Sequence, residues 1–205
     1  RWKRTSTKSD VSLMPASLID NDYALRQDGV TDDGRLLISR VQQRFTMIGG
    51  AFNYARGKYL LKGEIAYKSA KAFNDAAFQI VEKDVLDSAL GLTYSLGRSD
   101  TIGFEVVNSH VYGWSDEILV VPRNTNSLVL NSTFFFLNDN LSVNWLVIYG
   151  QPHTSYQSSL RTSYKWSDNL TFSIDAHLVD VPSDRSPQYS YRDRDQIVFR
   201  VQFQL

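Results

Sequence analysis

The 205 residues carry 22 basic and 22 acidic side chains with an isoelectric point near 7, which leaves no basic field for nucleic acid and no polybasic run for anionic lipid. Cysteine is absent, excluding disulfides, thiolate zinc sites and a cysteine nucleophile. The longest apolar runs, about residues 133–137 and 143–149, fall far short of the roughly 20 residues of a spanning helix, and the length suits one domain over residues 1–205.

The chain opens on Arg1-Trp2-Lys3-Arg4, a basic cluster expected to be solvated, with neither an initiator methionine nor a signal peptide, as in a processed or partial chain. Ser9-Asp10-Val11-Ser12-Leu13-Met14 is the first candidate strand, limited by Pro15, and Asn21 to Gly34 reads as a loop. Residues 40–54 are strand-like, with Gly49 and Gly50 marking a bend or bulge.

From there the pattern becomes two-faced. Tyr59, Leu61, Ile65 and Tyr67 oppose Lys62, Glu64, Ala66 and Lys68. Leu90, Leu92, Tyr94 and Leu96 oppose Gly91, Thr93 and Ser95, and Ile102, Phe104 and Val106 oppose Gly103, Glu105 and Val107. Leu128, Leu130, Phe134 and Phe136 share a face that Ser132 interrupts, and Leu141, Val143, Trp145, Val147 and Tyr149 share the next. Leu160, Thr162, Tyr164 and Trp166 oppose Ser159, Arg161, Ser163 and Lys165, and Phe172, Ile174, Ala176 and Leu178 oppose Thr171, Ser173, Asp175 and His177. The last residues alternate Ile197, Phe199, Val201, Phe203 and Leu205 with Gln196, Val198, Arg200, Gln202 and Gln204.

Compact turn-forming connections at 55–58, 97–100, 138–140 and 167–169 alternate with longer ones at about 69–87, 111–126, 150–157 and 179–194. That rhythm predicts an all-β, antiparallel up-and-down transmembrane β-barrel of about ten strands, nine of them after residue 36. Aromatics near strand ends, Tyr54, Tyr59, Tyr164 and Trp166 on one side and Tyr67, Tyr112, Trp114 and Tyr149 on the other, suit two interfacial girdles. The ionised side chains of the polar face, Lys62, Glu64, Glu105, Arg161, Lys165, Asp175 and Arg200, would then line a lumen together with His177. Their mixed signs predict no strong preference between anions and cations. A soluble β-barrel or sandwich binding a ligand in its interior has the same periodicity, because alternation says that one face is covered and not by what.

The terminal "IVFRVQFQL", with Phe199, Val201, Phe203 and Leu205 in alternation, resembles the C-terminal assembly signal of outer-membrane barrels, with leucine in place of the usual final aromatic. In order, "GGAFNYARGKYLLKGEIAYK", "LGLTYSLGRSDTIGFEVV", "FFFLNDNLSVNWLV" and "SYKWSDNLTFSIDAHLV" are similar to the C-terminal part of a porin-like family of uncharacterised Gram-negative outer-membrane β-barrel proteins. The resemblance spans roughly residues 40–205. It implies a barrel in the bacterial outer membrane, possession of the whole or the C-terminal portion of a larger one, outer-membrane lipid and the barrel-assembly machinery as partners, and a link with an RND-type exporter system. The function it implies is passage or export of a small or lipidic solute.

Covalent chemistry finds little support. His177 shares a face with Asp175, the start of a base-and-carboxylate arrangement, but no Gly-x-Ser-x-Gly elbow accompanies it. The three histidines are too scattered for a metal site, and no cofactor motif is present. Asp20-Asn21-Asp22 and Thr31-Asp32-Asp33-Gly34 lack EF-hand spacing and read as solvated loop. In Phe134-Phe135-Phe136 the middle ring is expected to point to the polar side.

Overall fold

The computed structural model describes residues 1–97 and 99–204; Arg98, in the turn expected at 97–100, and Leu205, the last residue of the terminal pattern, lie outside them. Among the described residues there is no α-helix, only strands and one 3-10 turn at Tyr189–Tyr191. The strands are β1 (Trp2–Thr5), β2 (Ser9–Ile19), β3 (Ala24–Val30), β4 (Leu36–Val41), β5 (Arg44–Arg56), β6 (Tyr59–Asn74), β7 (Ile80–Ser95), β8 (Thr101–Val111), β9 (Asn124–Phe136), β10 (Leu141–Gln151), β11 (Ser155–Ser167), β12 (Leu170–Asp180) and β13 (Gln196–Phe203). Eleven form a sheet in the order β1-β2-β5-β6-β7-β8-β9-β10-β11-β12-β13, and β3 and β4 form a separate hairpin. The fold is therefore all-β and antiparallel, in meander order, and among the described residues no ladder joins β13 back to β1.

Nine strands follow residue 43, as the alternation predicts, but two sheet strands rather than one precede them. The first four residues are exposed, as expected, and Trp2–Thr5 also pair with residues 10–13 of β2. Pro15 does not stop β2, because the β1 ladder ends at Leu13 and a residue without an N–H is tolerated beside an unpartnered strand edge. The long connections also shrink, to 75–79, 112–123, 152–154 and 181–195, since the strands extend past their apolar alternation into polar sequence.

Two compact units divide the chain, each containing parts of β5 to β8. The first comprises Arg1–Phe52, Gly63–Ser88 and Asn108–Thr125. Within it β2 and β5 run antiparallel, Asp20 N–H donating to the Gln43 carbonyl at 2.8 Å, and Gly50 gives the Leu13 side chain room that a Cβ would reduce to 3.0 Å. Gly63 is covered by the Phe52 ring, 2.2 Å from where a Cβ would stand. A small core of Phe73, Val85, Val111 and Ile118 is packed by Val81, Trp114 and Val121, and the Trp114 indole N–H donates to the Val121 carbonyl at 2.8 Å. Trp114 thus packs on this core.

The loop expected at 21–34 is instead part of the β3–β4 hairpin, and its anchors come from far along the chain. Asn74 clamps Leu25, accepting its N–H at 2.7 Å and donating to its carbonyl at 2.6 Å. The Lys71 ammonium donates to both oxygens of buried Asp20, at 2.8 and 3.1 Å, and to Asp22 at 3.2 Å. These carboxylates hold an ammonium ion from the protein itself. Such contacts outweigh the weak local propensity of the segment, which is why local sequence does not reveal the hairpin.

The second unit comprises Asn53–Lys62, Ala89–Val107 and Asn126–Leu205, with β9 to β13 in unbroken antiparallel register over its larger part. The β11–β12 ladder shifts only at the turn, between Lys165 and Ser167. Lys71→Met leaves the buried Asp20 carboxylate without its cation. It is expected to lower stability by about 1.5–3 kcal/mol and to speed amide exchange in β3 and β4 while β10 to β12 keep their protection, as measured by hydrogen exchange.

Candidate functional site

Register in the second unit sorts every side chain of β9 to β13 onto one of two faces. On one face the rows read Phe136, Leu141, Tyr164, Phe172, Val201, then Phe134, Val143, Thr162, Ile174, Phe199, then Ser132, Trp145, Leu160, Ala176, Ile197. On the other they read Phe135, Ser142, Ser163, Ser173, Arg200, then Thr133, Asn144, Arg161, Asp175, Val198, then Asn131, Leu146, Ser159, His177, Gln196. Phe135 stands on the polar side, as expected.

Burial is inverted with respect to a water-soluble sheet. Along β12, Phe172, Ile174 and Leu178 are exposed while Asp175, between them on the opposite face, is only 2% exposed. On β13, Phe199 is 75% exposed, and Ile197, Val201 and Phe203 are exposed as well.

The polar face is knitted by side-chain bonds. Arg161, directly opposite Asp175, donates from Nε to Asp175 Oδ1, and Arg200, on the other flanking strand, brings Nη1 to 3.3 Å from Oδ2. Ser163 and Ser173 hydroxyls meet at 2.8 Å, and Thr133 donates to Asn144 at 3.0 Å. Asn131 folds over Gly103 so closely that a Cβ there would lie 2.5 Å from its Oδ1. Lys62 on β6 and Glu105 on β8 approach to 3.8 Å although β7 runs between them. Gly91 of β7 makes that reach possible: a Cβ on it would meet Glu105 Oε2 at 3.2 Å and Lys62 Cε at 3.5 Å.

Five of the eight expected lumen residues therefore fall into two clusters, Lys62 with Glu105, and Arg161 with Asp175 and Arg200. His177 lies beside the second, half-buried, opposite Ser159 and Gln196. No hydrogen bond joins Ser159 to His177 among the described residues, and the Asp175 carboxylate faces the two arginines. Glu64 stands exposed in the first unit. Lys165 turns away to Asp168 in the β11–β12 turn at 2.8 Å, and that bond holds the Asp168 carboxyl below its ordinary range. The glycines at 91 and 103 and the Asn131, Thr133 and Asn144 group were not singled out from sequence. Alternating small and polar positions on the face opposite the aromatics are the signal that marks them.

Of the assembly-signal residues, Phe199, Val201 and Phe203 point to the apolar face opposite Ile174, Phe172 and Leu170. Leu205 lies outside the described residues. Aromatic pairs gather near strand ends, Tyr59 with Tyr94 at 4.9 Å and Tyr164 with Trp166 at 6.1 Å between centroids. No protein-family model, curated protein or solved structure matches the chain.

A double-mutant cycle on Lys62 and Glu105, half-exposed partners, is expected to give a coupling of about 1 kcal/mol or less. The same cycle on Arg161 and Asp175 is expected to give about 1.5–3 kcal/mol, because one partner is buried and the bond is charge-assisted. The Asp168 carboxyl is expected to titrate below an exposed aspartate by NMR and to return to the ordinary range in Lys165→Ala. With a depressed folded-state pKa, its small stabilising contribution is present above the unfolded pKa and is lost as pH falls through the folded one.

Proposed function

We propose that the chain forms a β-barrel of the porin-like kind in the bacterial outer membrane, or the C-terminal portion of a larger one, and passes or exports a small or lipidic solute without covalent chemistry. The observation that carries this reading is the exposure of large side chains in the apolar rows, Phe172, Ile174, Ile197 and Phe199 among them, against the side-chain bonding of the polar rows around buried Asp175. Lipid is the medium in which such an outer face is favourable, and a polar interior is what a transmembrane barrel encloses. The apolar face of β10 from Leu141 to Tyr149 runs about 27 Å along the strand at roughly 3.4 Å per residue, which at a tilt of about 35–45° covers about 19–22 Å of the band of about 25 Å on outer-membrane barrels.

Closure sets a further condition. An antiparallel meander joins its first and last strands antiparallel only when the strand number is even, and the sheet order contains eleven. A closed barrel of this type thus takes in an odd number of strands beyond these, which favours the larger-barrel form. Outer-membrane lipid, the barrel-assembly machinery and an RND-type exporter system are the partners that go with this reading. The polar face, with its serine, asparagine and paired charges, is the surface a solute would follow.

Folding should require detergent or a bilayer and give a band that shifts on heating before electrophoresis; a chain that folds as a monomer in plain buffer would overturn the reading. Ile174→Arg separates the media quantitatively. Facing lipid at mid-strand it is expected to cost about 2–4 kcal/mol, whereas on a surface in water it would change stability by about 0.5 kcal/mol or less. The measurement is denaturant unfolding of both forms in the same micelles.

A further inference from the structure

We propose that Arg161 and Arg200, held by Asp175, form a binding site for a small oxyanion, so that the solute handled on the polar face carries a phosphate or carboxylate group. The cluster has an odd charge balance: two guanidinium ions share one carboxylate. Asp175 is buried between them with one oxygen directed to each, Arg161 Nε on Oδ1 and Arg200 Nη1 at 3.3 Å from Oδ2. A carboxylate so placed is spent inside the protein, while both arginine side chains remain about half exposed, at 53% and 54%.

Each guanidinium has five N–H donors in a fixed plane, and the single contact with Asp175 leaves several of them on each half-exposed arginine outside that contact. The cluster retains one positive charge that no described carboxylate neutralises. Arg161 and Arg200 stand on the strands either side of β12, so Asp175 keeps their planes near each other instead of letting the like charges separate. Such a pair matches the two or three oxygens of a carboxylate or phosphate through parallel, charge-assisted bonds. The bonded hydroxyls of Ser163 and Ser173 lie one row away on the same face, and His177 lies one row away on the other side.

The other expected lumen cations of this unit, Lys62 and Lys165, do not offer the same arrangement. Lys62 has Glu105 at 3.8 Å across Gly91, and Lys165 has Asp168 at 2.8 Å in the turn, each a pair of balanced charge. As the class of transported solute the assignment rests on the porin-like reading; as a binding site it stands on the cluster alone.

The test is titration of the folded full chain with inorganic phosphate and, separately, with succinate, read by NMR shifts of the arginine Nε–H groups and by calorimetry in about 150 mM sodium chloride. Saturable shifts are expected at Arg161 and Arg200, with binding weakened about tenfold or more in Arg200→Gln and in Arg161→Gln. Arg200→Gln is the milder change for folding, since it leaves the Arg161 to Asp175 bond in place, and strand content by circular dichroism checks both variants. Phosphate affinity unchanged in Arg200→Gln, or shifts confined to other basic residues such as Lys3, Arg4 and Lys8, would overturn the site. A response to phosphate alone assigns a phosphate-bearing solute, and a response to both assigns the wider oxyanion class. A chain that folds in plain buffer and still binds at these arginines keeps the site and removes the membrane reading. A bilayer-folded chain whose phosphate response ignores both substitutions does the reverse.

Discussion

A side chain in a β-ladder has two directions available, and the hydrogen bonds of the backbone fix which one it takes. In β9 to β13 that constraint sends most of the large apolar residues one way and most of the hydroxyls, amides and charges the other, with Phe135, Leu146 and Val198 on the polar side and Ser132 and Thr162 on the apolar side as the exceptions among the rows above. Ten of the large apolar side chains so directed are exposed: Leu130, Phe136, Trp145, Leu160, Phe172, Ile174, Leu178, Ile197, Phe199 and Val201. At about half of the 1.5–3 kcal/mol that full burial of each side chain is worth, the forgone burial is roughly 7–15 kcal/mol, comparable with the whole stability of an ordinary domain. An apolar medium over this face would recover that free energy, and the choice of lipid over a protein layer is what the membrane reading proposes.

The polar face depends on the same ladder. Asp175 is tolerable at 2% exposure because Arg161 is placed directly opposite by register and Arg200 one step along the next strand. A buried carboxylate without such partners would be strongly destabilising. The cluster also ties β13 to β11 through β12, so the outermost strand of the order is held by side chains as well as by its single ladder. Gly91 and Gly103 work by omission, clearing the face so that Lys62 and Glu105, or Asn131, can lie across a neighbouring strand.

What was legible in the sequence was whatever period two encodes. The alternation of Phe172, Ile174 and Leu178 with Ser173, Asp175 and His177 placed each residue on its correct face, and the nine strands after residue 43 followed from repeats of that pattern. Strand ends were not legible, because β6 and β7 continue through Lys68, Lys71, Asp84 and Asp87, where polar contacts replace apolar alternation. Lys68 meets Asp87 at 2.6 Å and the Tyr67 hydroxyl meets Asp84 at 2.5 Å, pairings between positions 17 to 19 residues apart that no local window contains. The β3–β4 hairpin was hidden for the same reason, its anchors Lys71 and Asn74 lying some fifty residues from the carboxylates and backbone they hold.

The charges illustrate the limit of counting most clearly. Taken as a set, Lys62, Arg161, Lys165 and Arg200 against Glu64, Glu105 and Asp175 look almost balanced, and a balanced lumen predicts weak selectivity. Pairing changes that result, because a charge acts over a distance set by its nearest partner and by screening beyond it. Lys62 and Lys165 are each matched by a nearby carboxylate, whereas Asp175 is divided between two arginines. The same residues thus give a neutral wall in two places and a cationic fork in one. A solute bearing an oxyanion meets that fork as a local charge of one sign, whatever the sum over the face.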